Sequence, residues 1–131
     1  MIQCKRVYAA SEAGDGYRVL VDRLWPRGCR KDSLRLDAWL RDVAPSAELR
    51  KTFHHEAERF DDFRQHYRQE LAAHPEHWWP LLDKARDGTL TLLYAAKDEQ
   101  RNNARVLAEF LEEELDRHAP GSSPVCYAGE M

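Results

Sequence analysis

A short apolar segment in the last third of the chain indicates the class of fold. It reads Thr89-Leu90-Thr91-Leu92-Leu93-Tyr94-Ala95-Ala96 and follows a glycine, Gly88. β-branched and aromatic residues favour strands, and a run with so few polar positions is typical of a strand buried on both faces. We therefore predict that residues 89–96 form a strand in the middle of a sheet. A helical segment follows this strand, and such a crossover predicts parallel neighbours.

Two further strands are predicted near the amino terminus. Residues 2–8 carry a mixed alternating pattern, and residues 17–22 combine β-branched and aromatic residues after a Gly14-Asp15-Gly16 turn. Pro26 and Gly28 prevent the second strand from continuing. Because strands and helical segments are both present, the sequence predicts an α/β fold. We expect a single compact domain with a small, mostly parallel sheet of about three to four strands, flanked by helices.

The long helices are predicted from apolar residues that recur three or four positions apart. The clearest runs over residues 56–73, where one apolar stripe lies on an otherwise charged helix. The next begins with Pro75, which suits a first turn, and ends at Gly88. The residues of this second helix that we expect to face inward are Trp78, Trp79, Leu82 and Ala85.

Capping residues mark two more helices. The hydroxyl of Ser46 can accept a hydrogen bond from a first-turn amide, so a short helix is expected to start at Ala47 and end near Phe53. Asp98 is expected to cap the last helix in the same way. Residues 34–43 fit a helix or a strand, and Pro45 ends whatever precedes it.

Length and composition predict one domain with a well solvated surface. The chain has 131 residues, of which 43% are hydrophobic and 33% charged. This length is close to the commonest size of one domain. We expect the domain to span residues 1–118. The Pro, Gly and Ser residues after it predict a flexible carboxyl-terminal tail over residues 119–131.

The charge and cysteine content exclude several classes of protein. The formal net charge is −3, which disfavours nucleic acid and anionic membranes as partners of the whole surface. Cys4, Cys29 and Cys126 form no CxxC pair, which argues against a disulfide framework or a thiolate zinc site. There is no signal-peptide pattern and no apolar stretch of about 18 residues, so we expect a cytoplasmic protein. The sequence leaves the oligomeric state open.

Two polar clusters follow the predicted strands that end near Asp22 and Ala96. If these strands are parallel, both clusters emerge at the carboxyl edge of the sheet, where open α/β folds bind ligands. The first cluster contains Asp22, Arg23, Trp25, Arg27, Arg30 and Lys31. The second contains Tyr94, Lys97, Asp98, Arg101 and Asn102. Arginine guanidinium groups and the amino termini of helices favour the binding of phosphate or carboxylate groups. The two clusters together therefore predict an anion site.

The same residues also fit a purely structural interpretation. Asp22 and Arg23 can simply pair with neighbours, Trp25 can cover the core, and Lys97 with Asp98 can start a helix. The aromatic residues of the helices are more simply core than stacking platforms for bases. They are Trp39, Phe60, Phe63, Tyr67, Trp78 and Trp79.

Histidines and cysteines give weaker signals. The chain has six histidines, but adjacent ones such as His54 and His55 point in different directions on a helix and lack the spacing of a zinc helix. We therefore expect no metal and no cofactor. His55 stays a candidate general base. Cys29 lies beside basic residues that can lower a thiol pKa, but no histidine base is placed near it, so a small structural residue is the favoured interpretation.

The order of several short strings gives the chain a family resemblance. The strings are Lys5-Arg6-Val7-Tyr8, Asp22-Arg23-Leu24-Trp25-Pro26-Arg27-Gly28, Ala44-Pro45-Ser46, Leu49-Arg50 and Leu92-Leu93-Tyr94-Ala95-Ala96-Lys97-Asp98. With these, the chain resembles the YeaO-like family of small bacterial domains of unknown function, over residues 2–115. The resemblance implies a compact α/β domain without an established activity. Cys29 departs from the family pattern, in which an aliphatic residue is usual.

The resemblance and the residue chemistry select the same positions. As ligand-binding residues the sequence predicts Arg6, Tyr8, Arg23, Trp25, Arg27, Tyr94 and Asn102. As catalytic candidates it predicts Asp22, Lys97, Asp98 and His55. The leading hypothesis is a protein that binds or turns over a small phosphate- or carboxylate-bearing molecule. The alternatives are a nucleic-acid-associated or regulatory protein, with Arg23, Arg27, Arg30, Lys31 and Arg35 against phosphates, and a protein–protein interaction module.

Overall fold

The sheet is built around the apolar segment near residue 90. The computed structural model of the chain describes residues 1–53 and 59–118. Strand β4 (Leu90–Tyr94), buried at all five positions, lies between β1 (Ile2–Arg6) and β2 (Tyr17–Leu20). A two-residue strand, β3 (Ala38–Trp39), pairs with the outer side of β2. The order is β1-β4-β2-β3 and every pairing is parallel, so the predicted α/β fold and its central strand are confirmed.

The register brings the ends of three strands to one edge. Arg6 of β1 lies beside Tyr94 of β4, and Leu20 of β2 lies beside Leu93. The amide of Val7 donates to the Tyr94 carbonyl at 2.8 Å, which continues the β1–β4 ladder by one residue. Because the strands are parallel and in step, the chain leaves all three at the same carboxyl edge.

Within the described residues, five helices pack around the sheet. They are α1 (Lys31–Leu34), α2 (Ala47–Phe53), α3 (Phe60–Ala73), α4 (Pro75–Asp87) and α5 (Asn103–His118). Short 3₁₀ turns cover Ala13–Asp15 and Arg41–Val43. The ambiguous residues 34–43 thus contain the end of a helix, a short strand and a turn. The expected start of the third helix at residue 56 lies outside the described residues, as does the expected tail.

The expected cap of α2 is present and is reinforced from α3. The Ser46 hydroxyl accepts the amide of Leu49 at 3.1 Å and donates to a carboxylate oxygen of Glu70 at 2.6 Å. Glu70 also accepts the Ser46 amide at 3.0 Å. This contact ties the start of α2 to α3, and it therefore fixes the position of α2 beside the sheet.

Each face of the sheet has its own apolar cluster. Alternate residues of a strand point to opposite faces, so Val19, Leu92 and Tyr94 pack under α3, α4 and α5 in the main core. Leu20 and Leu93 point the other way and pack with Leu34 of α1 in a smaller cluster. The main core lies between the sheet and the three long helices.

One inward-facing prediction for α4 is wrong. Trp78 is 3% exposed and its indole donates to the Leu71 carbonyl at 2.7 Å, but Trp79 is 46% exposed. Successive helix residues differ by about 100° in direction, so the two rings cannot share the core-facing side.

No helix within residues 1–53 and 59–118 is both long and apolar enough to cross a lipid bilayer.

Candidate functional site

A cleft of about 640 Å³ opens at the carboxyl edge of the sheet. Its walls are the loop after β2 (residues 22–30, the β2 loop), the loop after β4 (residues 95–102, the β4 loop) and parts of α2 and α3. Both predicted polar clusters contribute to the lining, so the structure brings together the two segments that the parallel sheet was expected to bring together. The volume is in the range of sites for small organic molecules.

Asp22 joins the two loops. One carboxylate oxygen of Asp22 accepts the amide of Ala95 at 2.9 Å, and the other accepts the side-chain amide of Asn103 at 3.0 Å. Asn103 also donates to the Val21 carbonyl at 3.1 Å. Asp22 therefore holds the β2 loop against the β4 loop and the first turn of α5. Asn103 is a positioning residue that the sequence interpretation missed, since it had selected the neighbouring Asn102.

Arg23 shapes the wall formed by the turn before α2. Its guanidinium donates to the carbonyls of Ala44 and Pro45, at 3.4 and 3.3 Å, and the side chain is half-buried. These bonds orient the guanidinium along the turn, so part of its donor capacity is used within the protein. Its positive charge nevertheless lies in the lining of the cleft.

The rest of the β2 loop is held in a tight conformation. Gly28 has φ of +72°, a value that favours glycine, and the indole of Trp25 donates to the Cys29 carbonyl at 2.8 Å. The Tyr8 hydroxyl donates to the Arg27 carbonyl at 3.0 Å. The Arg27 guanidinium itself is exposed, lines the cleft and forms no hydrogen bond or ion pair with the described residues. The loop thus fixes the backbone of Arg27 and leaves its charge available.

The β4 loop is ordered by two polar side chains. One oxygen of Asp98 accepts the amides of Arg101 and Gln100, each at 2.9 Å, and these bonds hold the Asp98 pKa below its usual range. The Asn102 side chain accepts the Arg105 amide at 2.9 Å and donates to the Asp98 carbonyl at 2.9 Å. Asn102, which is 4% exposed, therefore caps α5, and the prediction that Asp98 is the cap is wrong. Helix α5 begins at Asn103, about one helical turn after Asp98, so Asp98 lies too far from the first turn to cap it.

Two predicted ligand-binding residues lie behind the cleft. The Arg6 guanidinium donates to the carbonyls of Ala96 and Ala95, at 3.0 and 3.4 Å, and lies 5.0 Å from the centre of the Tyr8 ring. Tyr94 is buried in the main core, and burial raises the pKa of its hydroxyl. Neither side chain lines the cleft. Arg6 supports the β4 loop from below, whereas Tyr94 is part of the core beneath it.

Several lining residues were missed because they come from outside the two clusters. Arg50 and Phe53 of α2 and Phe60 and Phe63 of α3 all line the cleft. The three phenylalanines carry the apolar signal of core residues, and no pattern in the sequence separates a ring that faces a cleft from one that faces the core. The place of α2 depends on the contact between Ser46 and Glu70, which is not a sequence signal.

The lining is basic although the chain is acidic. Among the residues that the structure describes, five basic side chains line the cleft against two carboxylates. They are Arg23, Arg27, Arg50, Lys97 and Arg101, and the carboxylates are Asp22 and Asp98. The whole chain carries a formal charge of −3, so the positive potential is local to this edge of the sheet.

The remaining predicted candidates lie elsewhere. His55 lies outside the described residues, so its role as a base stays a prediction. Cys29 packs against the smaller apolar cluster and is not part of the lining. Burial raises the pKa of Cys4 to about 11, and its thiol donates to the Ala104 carbonyl at 3.5 Å. No histidine or cysteine of the described ranges lines the cleft.

Three side chains of the kinds that bind metal ions lie close together at the start of α4, away from the cleft. They are His74, Glu76 and His77.

Fold and cleft together define a small α/β protein with a basic cleft of ligand size at the carboxyl edge of a parallel sheet. The chain belongs to the family described as the Inactive DUF488-N3 subclade, whose model matches residues 1–128. It is 53% identical to the uncharacterized protein YeaO of Escherichia coli over 110 residues, which are 84% of this chain and 96% of that protein. The expected YeaO-like family is thereby confirmed.

More distant relatives come from mycobacteria. The uncharacterized proteins Mb3100c of Mycobacterium bovis and Rv3073c of Mycobacterium tuberculosis are each 43% identical to this chain over 114 residues. Each match covers 84% of this chain and 92% of the relative. No solved structure matches the chain. These names establish the family and assign no activity.

Proposed function

We propose that this protein binds a small molecule with a phosphate or carboxylate group, and that this group lies at the basic side of the cleft. The observation that carries the proposal is a set of unpaired cations in the lining. Four basic side chains of the lining form no hydrogen bond or ion pair with the described residues through their side-chain nitrogens. They are Arg27, Arg50, Lys97 and Arg101. An anion bound in the cleft supplies a partner that the described residues do not.

The start of α5 adds to the positive potential. This 16-residue helix begins at Asn103, which lines the cleft. The amino end of a helix carries a partial positive charge and favours anions. Since the cap and the basic side chains lie on the same edge, their fields add, and they favour the same kind of ligand.

Binding is a better fit to the site than turnover. A general base must reach a proton of the ligand, and its pKa must suit the working pH. Both carboxylate oxygens of Asp22 already accept hydrogen bonds from the protein. The two amides on Asp98 lower its pKa and so make it a weaker base. The word "inactive" in the family description supports the same choice.

Neighbouring residues of α2 allow a matched test of the proposal. Arg50 lines the cleft, whereas Lys51 is exposed and does not. A thermal-shift screen with inorganic phosphate, citrate, sugar phosphates and nucleotides is followed by calorimetric titration of the compounds that stabilise the protein. A hydrogen bond to a charged group contributes about 1.5–3 kcal/mol, so Arg50→Ala is expected to weaken binding roughly tenfold or more. Lys51→Ala is expected to bind as the unmodified protein does. Equal affinities for all three proteins, or no stabilising anion, would reject the proposal.

A second candidate follows from an exposed basic segment beside the cleft. Arg27, Arg30, Lys31 and Arg35 are all exposed, and within the described residues none of them forms an ion pair. Such a segment can contact nucleic-acid phosphates. The net charge of −3 opposes this interpretation, so it ranks second. A titration of fluorescent DNA and RNA at low salt tests it: binding must weaken steeply as salt is added.

The third class is a protein–protein interaction module. Such a module would show an exposed apolar patch and no polar cleft, so the polar cleft argues against it.

A further inference from the structure

We infer that the molecule held in the cleft is a ring-bearing anion, whose charged group meets the basic side chains while a flat apolar ring lies against an aromatic wall. The inference rests on the proposed function and adds the class of ligand. Its basis is the composition of the lining, which combines basic side chains with aromatic and other apolar ones.

The aromatic wall consists of three rings from α2 and α3. The centre of the Phe63 ring lies 6.2 Å from that of Phe53 and 5.8 Å from that of Phe60. All three rings line the cleft, and those of Phe60 and Phe63 are half-buried. Aromatic rings contact one another favourably, so the partly exposed rings of Phe60 and Phe63 offer contacts to a further ring.

Exposure along α3 distinguishes the Phe60 and Phe63 rings from the fully buried residues of the same helix. Phe60, Phe63, Tyr67 and Leu71 form one apolar stripe with helical spacing. Tyr67 and Leu71, at the far end of the stripe, are only 1% and 3% exposed. Phe60 and Phe63, at the near end, are partly exposed and line the cleft. The stripe therefore passes from the core into the site.

The β2 loop and the turn before α2 add further apolar surface to the lining. The lining includes Leu24, Trp25 and Pro26 of the β2 loop and Pro45 of the turn before α2. The Trp25 ring is held by its hydrogen bond to Cys29 and by an edge-to-face contact with Trp39, at 5.3 Å between centres. A bare phosphate or acetate fills only a small part of the cleft and leaves these surfaces in water. An attached apolar ring removes them from water, which is favourable.

Charge and rings are combined at two places in the chain. Arg50 and Phe53 lie three residues apart on α2, so they share one face of that helix. Arg27 follows Trp25 and Pro26 in the β2 loop. A ligand that contacts the phenylalanine ring is thus within reach of the neighbouring guanidinium. This combination fits a molecule in which the anionic group is joined directly, or through a short link, to a ring.

Simple phosphate esters separate the inference from the proposed function. Calorimetric or competition titrations compare methyl phosphate, phenyl phosphate and hexyl phosphate, with benzoate as the carboxylate counterpart of the ring compound. Burial of a ring is expected to make phenyl phosphate bind roughly tenfold or more tightly than methyl phosphate. Phenyl phosphate is expected to exceed hexyl phosphate, which has as many carbons but no flat face. The stronger of phenyl phosphate and benzoate identifies the anionic group.

Each alternative outcome has a definite meaning. If methyl and phenyl phosphate bind equally well, the ring inference is wrong and the anion site stands. If hexyl phosphate binds more tightly than phenyl phosphate, the cleft accepts acyl chains and the inference is overturned. If no ester and no carboxylate binds, the proposed function and the inference fail together.

Variants of the aromatic wall give a second test. Phe63→Leu keeps an apolar side chain and removes the flat ring, so phenyl phosphate is expected to bind several-fold more weakly while methyl phosphate is unchanged. Trp79→Leu removes an exposed ring that does not line the cleft, and it is expected to leave both affinities unchanged. If Phe63→Leu does not fold, as judged by circular dichroism, Phe60→Leu serves for the same comparison. An unchanged preference for phenyl phosphate in the folded variant overturns the role of the wall.

Discussion

Charged residues at the two ends of the sheet behave in opposite ways. Near the amino ends of the strands, Asp15 is 1% exposed and forms ion pairs with Arg18 and Lys5. At the carboxyl edge, Arg27, Arg50 and Lys97 have no acidic partner among the described residues. Both regions are rich in charge, but within residues 1–53 and 59–118 these three cations of the carboxyl edge lack a partner, whereas Asp15 pairs with both Arg18 and Lys5. Pairing, rather than charge content, therefore distinguishes the structural network from the cleft that we propose as a binding site.

The network at the amino end is complete within the protein. Besides its two ion pairs, Asp15 accepts the side-chain amide of Gln3 at 3.2 Å, and its carbonyl accepts the Thr91 hydroxyl at 2.6 Å. Arg18 also donates to the Leu34 carbonyl, from Nε at 3.1 Å. The group therefore joins β1, β2, β4 and α1, and it leaves little capacity for a ligand.

The largest effect is expected from removal of the buried charge at the amino end. Asp15→Asn leaves Arg18 without its carboxylate, and the loss of one partner of a buried pair costs about 3–5 kcal/mol. We expect the lower end of this range in the free energy of unfolding, because the Leu34 carbonyl still accepts from Arg18. Urea denaturation gives the value.

The neighbouring acid provides the control for this change. Glu12 also pairs with Lys5, but its side chain is 74% exposed. Exposed pairs contribute about 0–1 kcal/mol, so Glu12→Gln is expected to change stability little. If the two variants lose the same stability, the amino-end network is not the structural anchor described above.

The next largest effect is expected at Asp22, which is structural although it lines the cleft. The asparagine of Asp22→Asn has one side-chain oxygen, whereas the carboxylate has two. Its side-chain NH2 group therefore faces either the Ala95 amide or the Asn103 side-chain amide, and both of these are donors. A donor left without an acceptor costs about 1–3 kcal/mol, and we expect a loss near 2 kcal/mol in urea denaturation. The affinity for inorganic phosphate is expected to fall as well, because the two loops separate. A variant of full stability would show that Asp22 does not join them.

A smaller effect is expected from pH. Burial raises the pKa of Asp15, but the Glu12 amide and the Lys5 and Arg18 side chains outweigh it and leave that pKa below its usual value. A carboxyl group with a lowered pKa in the folded state stabilises the fold above its unfolded pKa, about 3.9, and this contribution is lost as the pH falls through the folded value. The difference in stability between the unmodified protein and Asp15→Asn is therefore expected to be constant from pH 7 to about 5 and to shrink below about 4. A constant difference down to pH 2 would contradict this assignment.

The sequence predicts the sheet better than it predicts the cleft. The apolar run of β4 identifies a buried central strand, and parallel pairing then requires the β2 and β4 loops to meet. That reasoning places Asp22, Arg27 and Lys97 on one edge correctly. It cannot find β3, because two residues are too few for an alternating pattern. It also cannot find Arg50, whose position depends on the tertiary contact of Ser46 with Glu70.

Side-chain roles within the cleft were harder to predict than its location. An amphipathic stripe identifies Phe60 and Phe63 as apolar but does not tell whether protein or ligand covers them. The adjacent asparagines show the same limit: Asn102 caps α5 and Asn103 binds Asp22, and only the helix start distinguishes them. Arg6 supports the β4 loop through the carbonyls of Ala95 and Ala96, and this role needs no contact with a ligand.

The smallest effect on stability, and a clear one on binding, is expected at Arg27. Its guanidinium has no partner among the described residues, so Arg27→Ala is expected to change the free energy of unfolding by no more than about 0.5 kcal/mol. The affinity for phenyl phosphate is expected to fall roughly tenfold or more in calorimetric titration, because one charge-assisted hydrogen bond is lost. Arg30→Ala, in the same loop but outside the lining, is the matched control and should keep both properties. A loss of stability without a loss of affinity would place Arg27 with the paired charges of the amino end, and the contrast between the two edges would then not hold.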